Sequence, residues 1–280
     1  MNIRKNLMIP ALTALLLSTG CSAASKEETV YSADMKSGDP AVAEVVSFAP
    51  VFGIYNDDGS VQINKEYTEL VTECYTTEGE LFYAVISVDD YLKNIDPDLD
   101  LSNSIVLSTM GNVSTIYCSP ARKIHGQIKD SSSVSEGLEE NAGKTVLVCS
   151  SIEEQGTPDA SAAQLYTDAA KGGDYAYIDV VGIQPYYTLS NNSMGGYSGF
   201  ICYTEDEKGT TYWVHVSLDK YREFIDANVQ SSPYAVDGGL EAKTFDKVTR
   251  IYGGVTFADS YSLGLSDEIG VKVLNFDKME

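Results

Sequence analysis

Aromatic side chains are the residues of this chain best suited to contact a ligand. The sequence contains 19 tyrosines, 8 phenylalanines and 1 tryptophan, and aromatic rings stack on sugars, bases and peptide side chains. Alternation along one predicted strand points Tyr83 away from the interior, and a similar later strand points Trp213 and His215 outward. Tyr75 and Tyr203 precede these strands and could join the same face or the core, because a one-residue slip exchanges the faces. We therefore expect these five side chains to form a ligand face.

Residues for catalysis are scarce. The only histidines, His125 and His215, are not at equivalent positions of the internal repeat described below. The sequence lacks a nucleophile elbow, an H-E-x-x-H zinc motif and a phosphate-binding glycine loop. We expect no catalytic residue, and a cell-envelope hydrolase that uses loop carboxylates stays as the alternative function.

One acidic segment has a spacing that hard cations favour. Asp96-Pro97-Asp98-Leu99-Asp100 places three carboxylates at alternate positions. An EF-hand would require Gly and Glu where Leu101 and Leu107 stand. The segment is thus predicted to be a solvated loop after a helix, and we expect neither a metal nor a cofactor.

The cysteines show no metal-binding spacing such as C-x-x-C. Cys74 and Cys202 each begin a Cys-Tyr-Thr triplet, so we match these two positions in the repeat and expect small buried residues. Cys118 and Cys149 have no counterparts, and a disulfide between them stays open for an exported protein.

The N-terminus has the pattern of an export signal. Residues 1–20 combine a basic start, an apolar core of about 11 residues and a small-residue stretch before Cys21. This arrangement resembles a bacterial lipoprotein signal, although Ser18 stands where that family usually has an aliphatic residue. The resemblance implies lipidation of Cys21 and a cell-membrane location on the extracytoplasmic side; an ordinary cleaved signal is the alternative. Residues 21–28 would then be a polar tether.

The chain is strongly acidic. Without the two basic residues of the signal, 17 basic side chains face 41 acidic ones, a formal charge of −24. Such a charge repels polyanions and keeps a surface protein soluble. An oligonucleotide-binding module is therefore an alternative function that the acidity disfavours, and a nucleic-acid partner is not expected.

An internal repeat organises the sequence. Residues 30–52 recur at 165–187 with eight identities in 23 positions, among them Pro50 and Pro185. Ile116-Tyr117 also resembles Ile251-Tyr252 at the same offset of 135. The chain is predicted to be a duplicated module.

Each copy is predicted to contain strand, strand, strand, helix, strand and strand. The first strand is expected to end at the repeated proline, and 160–171 is expected to form a short helix between the copies. Apolar residues at helical spacing follow the third strand, with Ser87 and Ser217 as N-cap candidates. The predicted strands are 41–48, 70–76, 81–88, 113–118 and 145–149 in the first copy and 176–183, 199–204, 211–218, 248–253 and 271–276 in the second.

This element order is similar to the OB-fold, and the end of the second copy resembles the tRNA-anticodon-like domains of bacterial lipoproteins. The resemblance implies a mainly β protein with short helices, built from two tandem five-stranded OB-like Greek-key barrels, each with a helix between strands 3 and 4. We expect the first barrel at 29–155, a linker at 156–173 and the second barrel at 174–280. The predicted function is non-catalytic binding or scaffolding at the membrane, with an envelope protein or glycan as the partner.

Overall fold

The structure is a computed structural model that describes residues 27–55, 67–99, 101, 115–191, 196–229, 241–258 and 270–280. The chain is mainly β, and its described strands form two six-stranded sheets. The N-terminal sheet and its helices comprise β1 (Thr29–Val30), β2 (Pro40–Tyr55), β3 (Tyr67–Thr76), β4 (Leu81–Ser87), α1 (Val88–Asn94), β5 (Ile116–Asp130), α2 (Ser131–Val134), α3 (Leu138–Ala142) and β6 (Thr145–Ile152). The C-terminal sheet comprises β7 (Gln164–Leu165), β8 (Tyr175–Asn191), β9 (Gly196–Glu205), β10 (Thr211–Ser217), α4 (Leu218–Phe224), β11 (Lys243–Phe257) and β12 (Lys272–Met279). No helix within these ranges is long and apolar enough to cross a bilayer.

The two sheets have the same topology. Their strand orders are β1-β2-β3-β4-β6-β5 and β7-β8-β9-β10-β12-β11. The first long strand also pairs with the fourth in each sheet, β2 with β5 and β8 with β11, so hydrogen bonds run around a ring of five strands. The pairs β4–β6 and β10–β12 are parallel, whereas the other pairs within each ring are antiparallel.

Strand register shows how the repeat superimposes. Thr72 pairs with Pro50, and Cys202 pairs with Pro185. The counterpart of Cys202 is therefore Thr72, so the sequence match between Cys202 and Cys74 is wrong by two residues. A two-residue difference keeps a side chain on the same face of a strand, and the predicted inward and outward directions are unaffected.

The first long strand of each sheet continues through the proline at which the sequence predicted its end. Just beyond Pro50 and Pro185 the register shifts, so that Val51 and Tyr186 are extra residues opposite the neighbouring strand. A bulge accommodates proline because proline has no N–H to give to the ladder.

Two further predictions need correction. The fourth strands are longer than predicted, and Ile124 rather than Ile116 is the counterpart of Ile251, since Ile124 and Ile251 pair with the matched residues Ala43 and Ile178. Positions 113 and 114 of the predicted strand lie outside the described residues.

The helix predicted between the copies is also wrong. Only Ala160–Ala162 forms a single 3-10 turn, and β7 follows it. Gly172 and Gly173, which follow the predicted helix, belong to a turn in which the Lys171 N–H donates to the Asp174 carboxylate at 2.8 Å.

The helices between the third and fourth long strands form as predicted. The Oγ atoms of Ser87 and Ser217 accept hydrogen bonds from first-turn backbone N–H groups at 3.0 and 3.3 Å. Tyr91 and Tyr221 of these helices are buried in the two ring interiors. Each helix thus caps a separate apolar core.

The two sheets also contact each other. Phe257, at the end of β11, packs with Val46 and stacks on Tyr75 with ring centroids 5.8 Å apart. The Gly172 N–H donates to the Thr77 carbonyl at 2.9 Å. The apolar packing around Phe257 and this hydrogen bond join the two halves of the described chain.

Candidate functional site

We call the side of β2–β4 or β8–β10 that points away from the ring interior the outer face of the sheet. In the N-terminal sheet, Val51, Val71 and Val85 lie on this face, yet each is at most 4% exposed. They pack against Leu138 and Ala142 of α3, a helical segment in the β5–β6 connection that the sequence did not predict. The N-terminal outer face is therefore a second, covered apolar core.

The C-terminal sheet carries different residues at the matching positions. Tyr186, Ile201 and His215 are the counterparts of the three valines. Tyr186 is 58% exposed, although its counterpart is buried. Two neighbours, Tyr203 and Trp213, form a cross-strand pair beside it.

Tyr186, Tyr203 and Trp213 form what we call the aromatic cluster. The ring centroid of Trp213 lies 4.5 Å from that of Tyr203 and 5.4 Å from that of Tyr186, and the two tyrosine rings are 6.0 Å apart. Both contacts of the tryptophan are edge-to-face, the geometry that the ring quadrupole favours. The three rings therefore hold one another in place while leaving ring surface toward solvent.

The base of the aromatic cluster is fixed by apolar packing. Trp213 is half-buried and packs against Ile201, Ala258 and Val273. Tyr203 remains 37% exposed. An anchored indole beside two exposed phenols offers a rigid, amphipathic contact surface at a low cost in side-chain entropy.

His215 lies on the same outer face but faces another feature. Its Nδ1 is 2.7 Å from the Asn275 Oδ1, and its ring centroid is 5.2 Å from that of Tyr117 in the N-terminal sheet. The predicted ligand face is therefore divided. Trp213 and Tyr203 lie in the aromatic cluster, and His215 lies where the two sheets meet.

The two remaining residues of the predicted face pack against other parts of the chain. Tyr75 is 2% exposed and stacks on Phe257 of the other sheet. Tyr83 packs beside the core under α3, and its hydroxyl lies 3.4 Å from the Glu73 Oε2. Tyr83 points outward as predicted, and Tyr75, for which the sequence allowed either the face or the core, also lies outside the ring interior. Phe257 packs on Tyr75 and the residues under α3 pack on Tyr83, so neither joins the aromatic cluster.

The four cysteines within the described residues are free thiols, so the disulfide considered between Cys118 and Cys149 is not formed in the structure. Burial raises the pKa of Cys118 and of Cys149 to about 11. Thiols held in the protonated form are poor nucleophiles. They therefore act as packing residues of the N-terminal core.

His125 makes a structural contact. Its Nδ1 lies 2.7 Å from the Glu28 carboxylate, and its Nε2 lies 2.9 Å from the Glu153 carboxylate. Only the imidazolium can donate to both carboxylates, and these hydrogen bonds raise the pKa of His125. The imidazolium joins the start of the described chain to the end of β6.

One carboxylate of the C-terminal sheet, that of Asp179, is held by an arginine. Arg250 holds both oxygens of Asp179, at 2.6 and 2.8 Å, and this bidentate hydrogen bonding lowers the pKa of the carboxyl. A general acid in a glycosidase requires the opposite shift. Within the described ranges, no three His, Cys, Asp or Glu side chains are grouped to hold a metal. Asp96 accepts from the Asp98 backbone N–H in a turn after α1, and Asp100 lies outside the described residues.

Sequence reasoning missed one member of the aromatic cluster. Tyr186 follows the proline at which the strand was predicted to end. The repeat itself contained the signal, because matching Pro185 with Pro50 also matches Tyr186 with Val51. A strand continued through the proline would have put this tyrosine beside Trp213.

Comparisons with known proteins do not assign the site. No protein-family model matches the chain, and no curated protein matches its sequence.

Proposed function

We propose that this protein is a lipid-anchored, extracytoplasmic, non-catalytic binding or scaffold protein built from two OB-like barrels. The observation that carries the proposal is the exposed aromatic cluster, at the position where the N-terminal sheet has a sealed apolar face. Two homologous faces of one chain thus differ in whether aromatic surface is left accessible. Accessible, preorganised aromatic surface is typical of a binding site.

The strand order supports the OB-like part of the proposal. Each ring has five strands, and a short helix stands between the third and fourth of them. OB barrels commonly bind ligands on the face of strands 2 and 3. Tyr203 on β9 and Trp213 on β10 occupy those strands.

The anchor rests on the sequence around Cys21. An export signal followed directly by a cysteine is the pattern of a lipid-modified N-terminus, and two acyl chains give stable membrane attachment. We expect the full-length protein to fractionate with membranes and to incorporate labelled palmitate. Cys21→Ser should abolish both properties, and retention of the label in that variant would contradict the anchor.

The chemistry of the surface narrows the ligand class. The formal charge of the whole chain is −22, which disfavours a polyanionic partner such as nucleic acid. Exposed tyrosines beside a half-buried indole suit a sugar ring or an apolar peptide side chain. We therefore propose an envelope glycan or protein as the partner.

The experiment is a binding screen of the full-length chain in detergent on immobilised glycan and peptide arrays. Wild-type protein should give reproducible signals, and a Tyr186→Ala/Tyr203→Ala double variant should lose them. Tyr55→Ala is a matched control, because Tyr55 is an exposed aromatic residue, 38% exposed, on the other sheet. Equal signals from the double variant and the wild type would contradict the proposal, as would turnover of an arrayed ligand.

A second arm tests packing within the chain as the other explanation of the aromatic cluster. The chain has a single tryptophan, so its fluorescence reports Trp213 alone. Leu265 lies outside the described residues, in the connection that matches the α3 segment. Unchanged emission from ligand-free Leu265→Ala supports binding, whereas altered emission would assign the cluster to internal packing and contradict the proposal.

A further inference from the structure

A cavity separate from the exposed rings of the aromatic cluster lies between the two sheets. Its volume is about 800 Å³, which is within the range of sites for small molecules. Both sheets contribute to its wall. Its wall includes Tyr117, His215, Lys220, Thr256, Asn275 and Asp277.

Charges in the cavity wall have partners within the protein. Asp277 lies 3.5 Å from the Lys220 ammonium and accepts a hydrogen bond of 2.6 Å from the Tyr175 hydroxyl. Lys278 pairs with Glu280 at 2.6 Å. An ionic ligand would have to break one of these pairs, whereas a neutral ligand can hydrogen-bond to them as they stand.

One hydroxyl in the wall lacks a partner. Thr256 is 1% exposed, and its Oγ1 forms no hydrogen bond with any residue that the structure describes. A buried hydroxyl without a partner is energetically unfavourable. A ligand hydroxyl that hydrogen-bonds to the Thr256 Oγ1 would remove this penalty, and the hydrogen bond would add to the affinity. Thr256 therefore indicates a polar ligand.

The rest of the wall combines ring faces with hydrogen-bonding groups. Tyr117 and His215 lie with centroids 5.2 Å apart, and Asn275 holds the imidazole through its Oδ1. Aromatic surface alternating with amide, carboxylate and hydroxyl groups matches a molecule that has apolar ring faces and a hydroxylated rim.

We infer that the cavity between the sheets binds a small neutral polyhydroxylated molecule of the mono- or disaccharide class. Thr256 and Asn275 contact its hydroxyls, and the Tyr175–Asp277–Lys220 network orients it. The inference does not depend on the aromatic cluster, since the two sites use different side chains.

The test uses the full-length chain and four probes: glucose, N-acetylglucosamine, cellobiose and the anionic glucose 6-phosphate. Saturation-transfer NMR and calorimetry should detect at least one neutral sugar, with glucose 6-phosphate weaker than glucose. Thr256→Val should weaken the affinity for the bound sugar about three- to tenfold, the loss of one neutral hydrogen bond. Thr256→Ser keeps a hydroxyl and should retain the affinity.

Thr72→Val is the matched control. Thr72 is also fully buried, and its Oγ1 has no hydrogen-bond partner among the described residues, but it lies in the N-terminal sheet and does not line this cavity. Its substitution should leave sugar affinity unchanged. No binding of any neutral sugar, preference for glucose 6-phosphate, or equal weakening in both valine variants would overturn the inference. Tyr186→Ala should not alter sugar binding here, so failure of this site and failure of the aromatic cluster are distinguishable.

Discussion

The outer faces of the two sheets are built on the same strands and reach opposite outcomes. In the N-terminal sheet, valines pack under Leu138 and form a closed apolar layer. In the C-terminal sheet, the matching positions hold Tyr186 and His215, and aromatic surface remains accessible. The two halves therefore share one ring of strands, while the residues on one face differ between a buried apolar layer and accessible aromatic surface.

The largest expected effect is on the cover of the N-terminal face. Leu138 is 1% exposed, so Leu138→Ala should lower the free energy of unfolding by about 2–4 kcal/mol through lost burial and a cavity. Urea unfolding followed by circular dichroism measures this change. Glu139→Ala, on the exposed side of the same helix, should leave the midpoint unchanged. Equal, small effects of both substitutions would show that α3 does not seal the face.

The second prediction compares matched positions of the two faces. Val51→Thr places a hydroxyl in an apolar layer and should cost about 1–3 kcal/mol. Tyr186→Ser changes an exposed residue and should cost less than about 1 kcal/mol. Thermal and urea unfolding of the two variants test this difference, and a larger cost for Tyr186→Ser would make the aromatic cluster a structural element.

The smallest expected effect is on the pH dependence of stability. His125 and Tyr252 are at equivalent positions of the two sheets. The His125 imidazole contacts the Glu28 carboxylate near the start of the described chain. Because Glu28 and Glu153 raise its pKa, the stability it adds is fully present below its unfolded pKa of about 6.5 and is lost as pH rises through the folded pKa.

Wild-type protein should therefore exceed His125→Gln in stability by about 1 kcal/mol near pH 5.5, and the difference should vanish at high pH. Chemical unfolding at a series of pH values checks the sign. A difference that grows as pH rises would contradict the bridging imidazolium.

Local patterns predicted much of this fold. The strands predicted at 81–88 and 211–218, the Ser87 and Ser217 caps and the outward direction of Trp213 depend on neighbours close in sequence, and they formed as expected to within a residue. The α2–α3 segment is short and polar apart from a few residues, so its helices depend on tertiary packing that no periodicity reveals.

The candidate site was predicted only in part for the same reason. Strand alternation predicted the outward direction of Trp213, whereas for Tyr203 it allowed either the face or the core. The burial of Tyr75 comes from Phe257, far away in the chain, and the position of Tyr186 depends on a bulge after proline. Contacts between distant segments decided which outward residues stayed exposed.

Fluorescence of Trp213 tests the central claim most directly. A ligand selected on the arrays is titrated into wild type, Tyr55→Ala and Tyr186→Ala, each of which retains the single tryptophan. Ligand contact at the aromatic cluster predicts a saturable change of emission in wild type and in Tyr55→Ala, with affinity weakened at least tenfold in Tyr186→Ala. Binding that leaves Trp213 emission unchanged, or that is equally tight in all three proteins, would contradict the account.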